Sequence, residues 1–302
     1  MLTFEADTFN QLYLSALAAL LAKPPTVPSR NGLTSELQPC VLRLTDLRHR
    51  SLTLRARKKN LGLQLMEFLW IWHGDNRLAP LTSVCKRWAD YSDDGVTLHG
   101  AYGHRLRTSG EWGEDQIDQC IKLLKSKPDT RQAVMTIWQP EDLWAKSKDL
   151  PCNNYLHFLI RAGRLNLTVV VRSNDAWLGL PYNVFNWTQL QCVVAERIGV
   201  LPGTYTHVAD SLHLYAEHRE RAGVVLEANV QSHQPITWPA HGGNDDDLAA
   251  AYAHVTLEKP LDAWLDPFWA DYARTIRLCQ TKSTQQDGLS NPFREELMLR
   301  SE

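Results

Sequence analysis

Pro151-Cys152 stands just ahead of a strand-turn-helix run, Leu165 to Arg197, whose core reads Arg172-Ser173-Asn174-Asp175-Ala176-Trp177-Leu178-Gly179-Leu180-Pro181-Tyr182-Asn183. In that order the chain offers a thiol nucleophile, an arginine-serine pair able to grip a phosphate, and an amide able to read a pyrimidine edge. Each has a plainer reading. A cysteine at a strand start is commonly a small buried hydrophobe, and a single arginine is commonly a solvated surface charge. Asn183 opens a helix, where asparagine is a favoured N-cap; capping and base reading are compatible. An adjacent guanidinium such as Arg172 would lower the pKa of Cys152, while a desolvated pocket would raise it.

Further candidates lie outside this run. Arg30, Arg131, Arg172 and Ser173 form a possible phosphate set, since charge-assisted bonds contribute roughly 1.5–3 kcal/mol each. Glu67 falls inside the apolar run Leu61 to Trp72. A carboxylate there needs a partner, because burying an unsatisfied charge costs several kcal/mol. Arg57 and Lys58 sit in a basic patch with Arg55 and Lys59, which reads equally as an anion contact or a solvated face. His213 and Tyr215 fall on alternate positions of a run that reads as a strand with one polar face.

The elements that must position these groups follow from the apolar pattern. Phe9 to Ala22 predicts a helix stopped at Lys23-Pro24-Pro25, and Val41 to Leu54 predicts two strands with a polar turn between them. Leu61 to Trp72 predicts a buried helix, Ile117 to Leu124 another, and Ala133 to Trp138 a short strand. Tyr155 to Ile160 and Leu165 to Val171 predict a hairpin turned at Ala162-Gly163. Asn183 to Arg197 predicts a helix stopped at Gly199, and the tail beyond Gln280 reads as polar. The mixture is α+β. With 302 residues, 44% hydrophobic and 22% charged, the chain has enough apolar surface for one large domain. A net charge of −2 gives no global basic field for a nucleic-acid polymer. The six cysteines are scattered, without zinc-ligand spacing, and read as reduced thiols with no metal expected. Leu12 to Leu21 is too short to span a bilayer and has no basic start, so a cytoplasmic protein is expected.

Pro151-Cys152, Arg172-Ser173-x-Asp175 and Leu178-Gly179-Leu180-Pro181-Tyr182-Asn183 resemble the signature of the thymidylate synthase family, which also contains dUMP and dCMP hydroxymethylases found chiefly in phages. The resemblance runs from about Arg30 to His218 and is best between Arg131 and Tyr215. It implies a thymidylate synthase-like fold, a mixed sheet packed with helices, with residues 1–302 as one catalytic domain and a sheet-mediated homodimer. It makes Cys152 the nucleophile that adds to C6 of a pyrimidine. Arg30, Arg131, Arg172 and Ser173 become the phosphate ligands, with Arg131 donated across the interface; Asp129-Thr130-Arg131-Gln132 keeps only the first arginine of the family's pair. Asn183 becomes the base reader and favours uracil, since dCMP enzymes typically carry aspartate there. His213 and Tyr215 would bond the sugar 3′-hydroxyl, although their flanks depart from the usual Gly-Asp-Thr. Glu67 would move protons at O4 and position water, and Tyr102 would order water near C5. Asp175 would face the pterin of the co-substrate 5,10-methylenetetrahydrofolate, and Arg57 and Lys58 its glutamate tail.

Four departures separate the chain from a synthase. In Cys85-Lys86-Arg87-Trp88 the first residue of the family's Trp-x-x-Trp pair has become Cys85, while Trp88 remains as a cofactor contact. Loss of an indole admits water to the reactive carbon. Asp149 replaces an apolar residue ahead of Cys152, Asn153 replaces the histidine that usually follows it, and the tail Leu297-Met298-Leu299-Arg300-Ser301-Glu302 lacks the usual short apolar ending. The resemblance therefore implies transfer of a hydroxymethyl group to dUMP. Transfer to dCMP or CMP, kept open by Asn153, is the alternative, followed by thymidylate synthesis proper. A catalytically silent nucleotide- or RNA-binding protein is the reading from another class, opposed by the intact Cys152, Glu67 and Asn183. The expected partners are a pyrimidine nucleoside monophosphate, the folate and a second copy of the chain. Neither a membrane nor polymeric nucleic acid is expected.

Overall fold

The computed structural model of the chain describes residues 2–108, 113–228, 235–261, 263–283 and 288–301, with side chains to 299 in the last stretch. The period-two runs form strands: β1 (Leu2–Ala6), β2 (Val27–Ser29), β3 (Gly32–Leu37), β4 (Cys40–Leu44), β5 (Val134–Thr136), β6 (Asn153–Arg161), β7 (Arg164–Val171), β8 (Asn174–Asp175), β9 (Leu201–Ala209) and β10 (Leu212–Tyr215). The helices are α1 (Phe9–Leu21), α2 (Leu61–Trp72), α3 (Ala79–Thr82), α4 (Tyr102–Arg107), α5 (Gln116–Ser126), α6 (Leu180–Ile198), α7 (Arg219–Ala228), α8 (Asp245–Leu257), α9 (Pro267–Thr281) and α10 (Phe293–Ser301).

Six strands form one sheet in the order β1-β4-β9-β7-β6-β5, and four form a second in the order β2-β3-β10-β8. Both are mixed: β1 with β4, β7 with β9 and β8 with β10 run parallel, and the other neighbours antiparallel. This is the expected α+β class. β6 and β7 form the expected hairpin around Ala162 and Gly163, with φ values of 50° and 70°. Two positive φ values make the turn whose twist matches the strands it joins. Leu156, Phe158 and Ile160 of β6 and Leu165, Leu167, Val169 and Val171 of β7 are buried. α6 packs on β7 and β9.

A register shift between Asn153 and Tyr155 marks a bulge at the start of β6. Alternation back from Leu156 would turn Asn154 inward; the bulge turns Asn153 inward instead, and it is fully buried. All twelve residues of α2 are buried, because the helix packs against both α6 and α9. A helix apolar on every side needs such a double cover. α4 crosses α2 at Gly103, where a Cβ would lie 2.0 Å from the Ile71 carbonyl oxygen. This close approach carries Tyr102 to α2.

Three expectations are corrected. Val41 to Leu54 contains one strand, not two. After β4 the chain turns at Leu47–His49, and Arg50, with no exposed surface, donates to the carbonyl of Leu47, to Gln189 Oε1 and to the carbonyl of Pro239. The Thr53 N–H donates to Asn10 Oδ1. These side-chain and loop partners replace a strand ladder. Asn183 is not an N-cap: α6 begins at Leu180 with Pro181 in its first turn, where proline's missing N–H is no loss. At its other end Gly199 closes α6 in the left-handed region at φ 85°, as expected. The segment after Gln280 is not merely polar. Phe293 of α10 is fully buried against Trp238, Phe268 and Tyr272, and Glu296 pairs with Lys59 at 2.7 Å. Of the terminal run weighed in the sequence, Glu302 lies outside the described residues. Among the described residues, no helix is long and apolar enough to cross a membrane.

Candidate active site

Cys152 is held at the mouth of β6 by Arg172, which follows β7. The Arg172 backbone N–H donates to the Cys152 carbonyl at 2.9 Å. Its side chain donates from Nε to the Pro151 carbonyl at 2.9 Å and from Nη2 to the Leu150 carbonyl at 3.2 Å, and its guanidinium lies over the Trp138 ring. One arginine thus fixes the Leu150-Pro151-Cys152 backbone and leaves a positive charge beside the sulfur. Desolvation raises the Cys152 pKa, opposed by the charges of Arg172 and Arg30 and reinforced by those of Asp149 and Asp175. Of the two opposing effects weighed in the sequence, desolvation wins, and the thiol is protonated at neutral pH.

Around the sulfur stand the other groups that the sequence singled out. Asp149 Oδ2 accepts the Gly100 N–H at 2.8 Å; burial raises its pKa against that bond. The Tyr102 phenol is pushed well above its ordinary range, first by burial and then by the nearby Cys152, Asp149 and Glu67. It therefore remains a donor at any working pH. Glu67 accepts from Asn186 Nδ2 at 2.8 Å. Its desolvation outweighs that bond and raises the pKa to about 7, where a carboxyl can both give and take a proton. Asn153 Oδ1 accepts the Trp187 indole N–H at 3.0 Å, while its buried NH2 group faces the Tyr102 hydroxyl without completing a hydrogen bond of good geometry. Asn183, Asn186 and Trp187 are three and four residues apart on α6 and share one face. Asn183 is buried, and its side chain has no hydrogen-bond partner among the described residues.

A second group of residues gathers near Asp175 and Arg30. Asp175 Oδ1 accepts the N–H groups of Trp177 and Leu178, at 2.7 and 3.0 Å, and β8 sets Asp175 opposite His213 of β10. The rings of His213 and Tyr215 meet edge-on at 5.3 Å on the less buried side of that strand. Trp88 packs on Tyr91, whose hydroxyl feels the charges of Arg87, Asp175 and Arg30. Cys85 is half-buried, close enough to Tyr182 to act on its hydroxyl, as does Glu67. Arg30 is exposed and reaches the Lys148 carbonyl at 3.4 Å. Ser173 is half-buried beside Arg172. Arg131 is exposed next to β5.

The basic patch divides. Arg57 is buried, not a surface charge: it stacks over Trp177 at 4.0 Å and donates to Tyr13 Oη and to the carbonyls of Lys58 and Trp177. Its donors are taken up in pinning the Asp175 loop. Lys58 is exposed, and Lys59 is taken by Glu296. Three residues in the site escaped the sequence reading: Tyr182, which accepts the Asn60 N–H, Asn186 and Trp187. For Asn186 and Trp187 the only signal was a helical spacing from Asn183, whereas Tyr182 stood within the quoted motif without a role of its own. Among the described residues, no group of three or more His, Cys, Asp or Glu side chains is placed to hold a metal ion.

The arrangement combines a thiol that feels the charges of two arginines, a carboxyl titrating near neutrality, a second carboxyl acting on the sulfur and buried amides. It suits nucleophilic addition to a polar ring bearing an anionic group. Comparison with known proteins agrees with this chemistry. The thymidylate synthase family model matches residues 11–248. A deoxyuridylate hydroxymethyltransferase of Bacillus phage SP01 is 32% identical over 231 residues, covering 72% of this chain and 60% of that protein. One from Pseudomonas phage M6 is 40% identical over 164 residues, 53% of this chain and 46% of that protein. One from Delftia phage PhiW-14 is 30% identical over 226 residues, 70% and 60% of the two chains. The matched stretch thus spans between 46% and 60% of the length of these relatives.

Proposed function

The chain belongs to the thymidylate synthase family, and from that premise we propose that it is a deoxyuridylate hydroxymethyltransferase, converting dUMP, 5,10-methylenetetrahydrofolate and water to 5-hydroxymethyl-dUMP and tetrahydrofolate. The observation that carries hydration over reduction is Asp149. Its carboxylate is held by the Gly100 N–H beside the nucleophile, at a point where delivery of hydride calls for a dry wall. The half-buried Cys85, small where an indole would fill space, supports the same choice, as does the similarity to three phage deoxyuridylate hydroxymethyltransferases.

In this mechanism Cys152 gives up its proton and its sulfur bonds to C6 of the uracil. The ring electrons move through C5 toward O4, near which Asn183 and Asn153 offer hydrogen bonds. The folate, when bound, would supply one carbon at the formaldehyde level to C5 and leave as tetrahydrofolate, its two nitrogens taking up the proton given up by Cys152 and the proton lost from C5, so that an exocyclic methylene group remains on the ring. Water then adds to the exocyclic methylene carbon at C5, Glu67 takes the proton released, and cleavage of the C6–S bond restores the thiolate. Tyr102, a permanent donor, orients the water. Arg30, Arg172 and Ser173 hold the phosphate, and His213 and Tyr215 the sugar hydroxyl.

The folate fits the residues present. Asp175 spends one carboxylate oxygen on its own loop and keeps the other, the Trp88–Tyr91 pair offers an aromatic wall, and exposed Lys58 suits an anionic tail. The chain acts as one catalytic unit in the cytoplasm, the host's if a phage encodes it. It works as a homodimer with Arg131 donated across the interface. Support for the dimer comes from β6, β7 and β9, whose second face, with His157, Thr168, Val170, Thr206 and Val208, is only partly buried in the single chain. Mass spectrometry of the nucleotides formed from dUMP, dCMP and CMP with methylenetetrahydrofolate tests the proposal. A hydroxymethyl gain on dUMP alone is expected. A methyl gain with accumulating dihydrofolate would make the chain a synthase, and reaction with CMP or dCMP would reassign the base.

A further inference from the structure

Two buried asparagines, Asn183 and Asn153, accompany the groups of the proposed site, and the side chain of only one is held. The Asn183 side chain has no hydrogen-bond partner among the described residues, so nothing fixes which end of its amide meets a ligand. An amide free to turn over offers donor or acceptor and does not by itself separate a 4-oxo from a 4-amino pyrimidine.

Asn153 differs. Its Oδ1 accepts the Trp187 indole N–H at 3.0 Å. An indole nitrogen only donates, so turning the amide over would set N–H against N–H. The NH2 end is thereby directed away from the indole and toward the Tyr102 hydroxyl, whose pKa, raised chiefly by burial, it lowers; it is fully buried and completes no hydrogen bond of good geometry. The Tyr102 ring lies 5.7 Å from the Trp187 ring, the bulge in β6 turns Asn153 inward, and Asn153 directly follows Cys152. This donor thus belongs to the cluster around the thiol.

We propose that Trp187 and Asn153 form the positioning pair that selects the base: the indole locks the amide so that its NH2 group demands an acceptor, which a 4-oxo pyrimidine supplies and a 4-amino pyrimidine does not. The proposal rests on the nucleotide chemistry above and assigns its specificity to residues beyond the base-reading Asn183. A 4-amino group would leave the Asn153 N–H unpaired and bring a second unpaired donor against it.

The test is calorimetric titration of wild type, Trp187→Phe and Asn153→Asp with dUMP and with dCMP, alongside KM and kcat for each. Phenylalanine keeps an aromatic ring and drops the N–H; aspartate sets an acceptor where the NH2 stood and leaves the indole in place, so it decides the matter if the first variant fails to fold. Wild type is expected to bind dUMP more tightly than dCMP. Each variant should reduce that preference by about tenfold, equivalent to ~1.4 kcal/mol, with the change in KM rather than kcat. A role in packing alone would weaken both nucleotides equally, and an unchanged ratio overturns the inference while leaving the proposed function intact. Wild type that prefers dCMP overturns the inference as well. Wild type that binds neither nucleotide removes both.

Discussion

Glu67→Gln makes the cost of a buried carboxyl measurable. Glutamic acid titrates at 4.5 in its ordinary state and at about 7 in the folded protein, because desolvation outweighs the bond from Asn186. Between those values the folded chain keeps a proton that the unfolded chain has lost. Stability therefore falls as pH rises through this window and reaches its floor above about 7. At ~1.4 kcal/mol per pH unit, ionisation of Glu67 costs the fold about 3 kcal/mol. Glutamine has nearly the same shape, can accept the Asn186 N–H and cannot ionise. The variant should match wild type at about pH 4.5 and exceed it by about 2–3 kcal/mol at about pH 8, read as the difference between urea unfolding curves followed by tryptophan fluorescence. Titrations elsewhere in the chain cancel in that difference. In the same variant turnover should drop by roughly 10²–10⁴-fold, the usual contribution of a general acid-base group. If the stability difference were constant from pH 4.5 to 8, the Glu67 carboxyl would not be buried as described. A catalytic role for it would then lose its physical basis.

Three further outcomes follow from the same geometry. Cys152→Ser should lower turnover by roughly 10⁴-fold or more while dUMP affinity measured by calorimetry stays within a fewfold, since the phosphate ligands are untouched. Asp149→Asn removes a negative charge that raises the Cys152 pKa; alkylation of Cys152 by iodoacetamide, followed by peptide mass spectrometry, should begin at lower pH than in wild type, whereas hydroxymethyl-dUMP formation should slow by about 10- to 100-fold. Gly103→Ala would set a Cβ 2.0 Å from the Ile71 carbonyl and force α4 away from α2, costing about 3 kcal/mol or more in urea unfolding.

Much of the framework was legible because it depends on local pattern. The β6–β7 hairpin follows from alternating apolar residues around Ala162-Gly163, and α2 from an apolar run too long for a strand. The buried Glu67 was legible for the same reason. Where the sequence reading failed, distant partners decided the conformation. Leu52 and Leu54 alternate like a strand, but the Ser51–Leu54 backbone is held by Asn10 and the neighbouring Arg50 by Gln189 and Pro239. Arg57 sits in a basic run, yet Trp177 draws it into the interior. Phe293 buries α10 in an aromatic cluster assembled from three other segments.

The sequence alone determined which chemical groups are available to the proposed site: a thiol, arginines, a carboxyl in an apolar helix and amides. It could not determine their directions or protonation. Whether Cys152 is thiol or thiolate depends on desolvation set against Arg172 and Arg30, a balance created only by packing. That Asn153 rather than Asn154 faces inward depends on a single bulge, and that its NH2 end points away from the indole depends on Trp187, 34 residues away in the chain. Residue type is local information, whereas hydrogen-bond direction and dielectric surroundings belong to partners that meet only when the chain is folded.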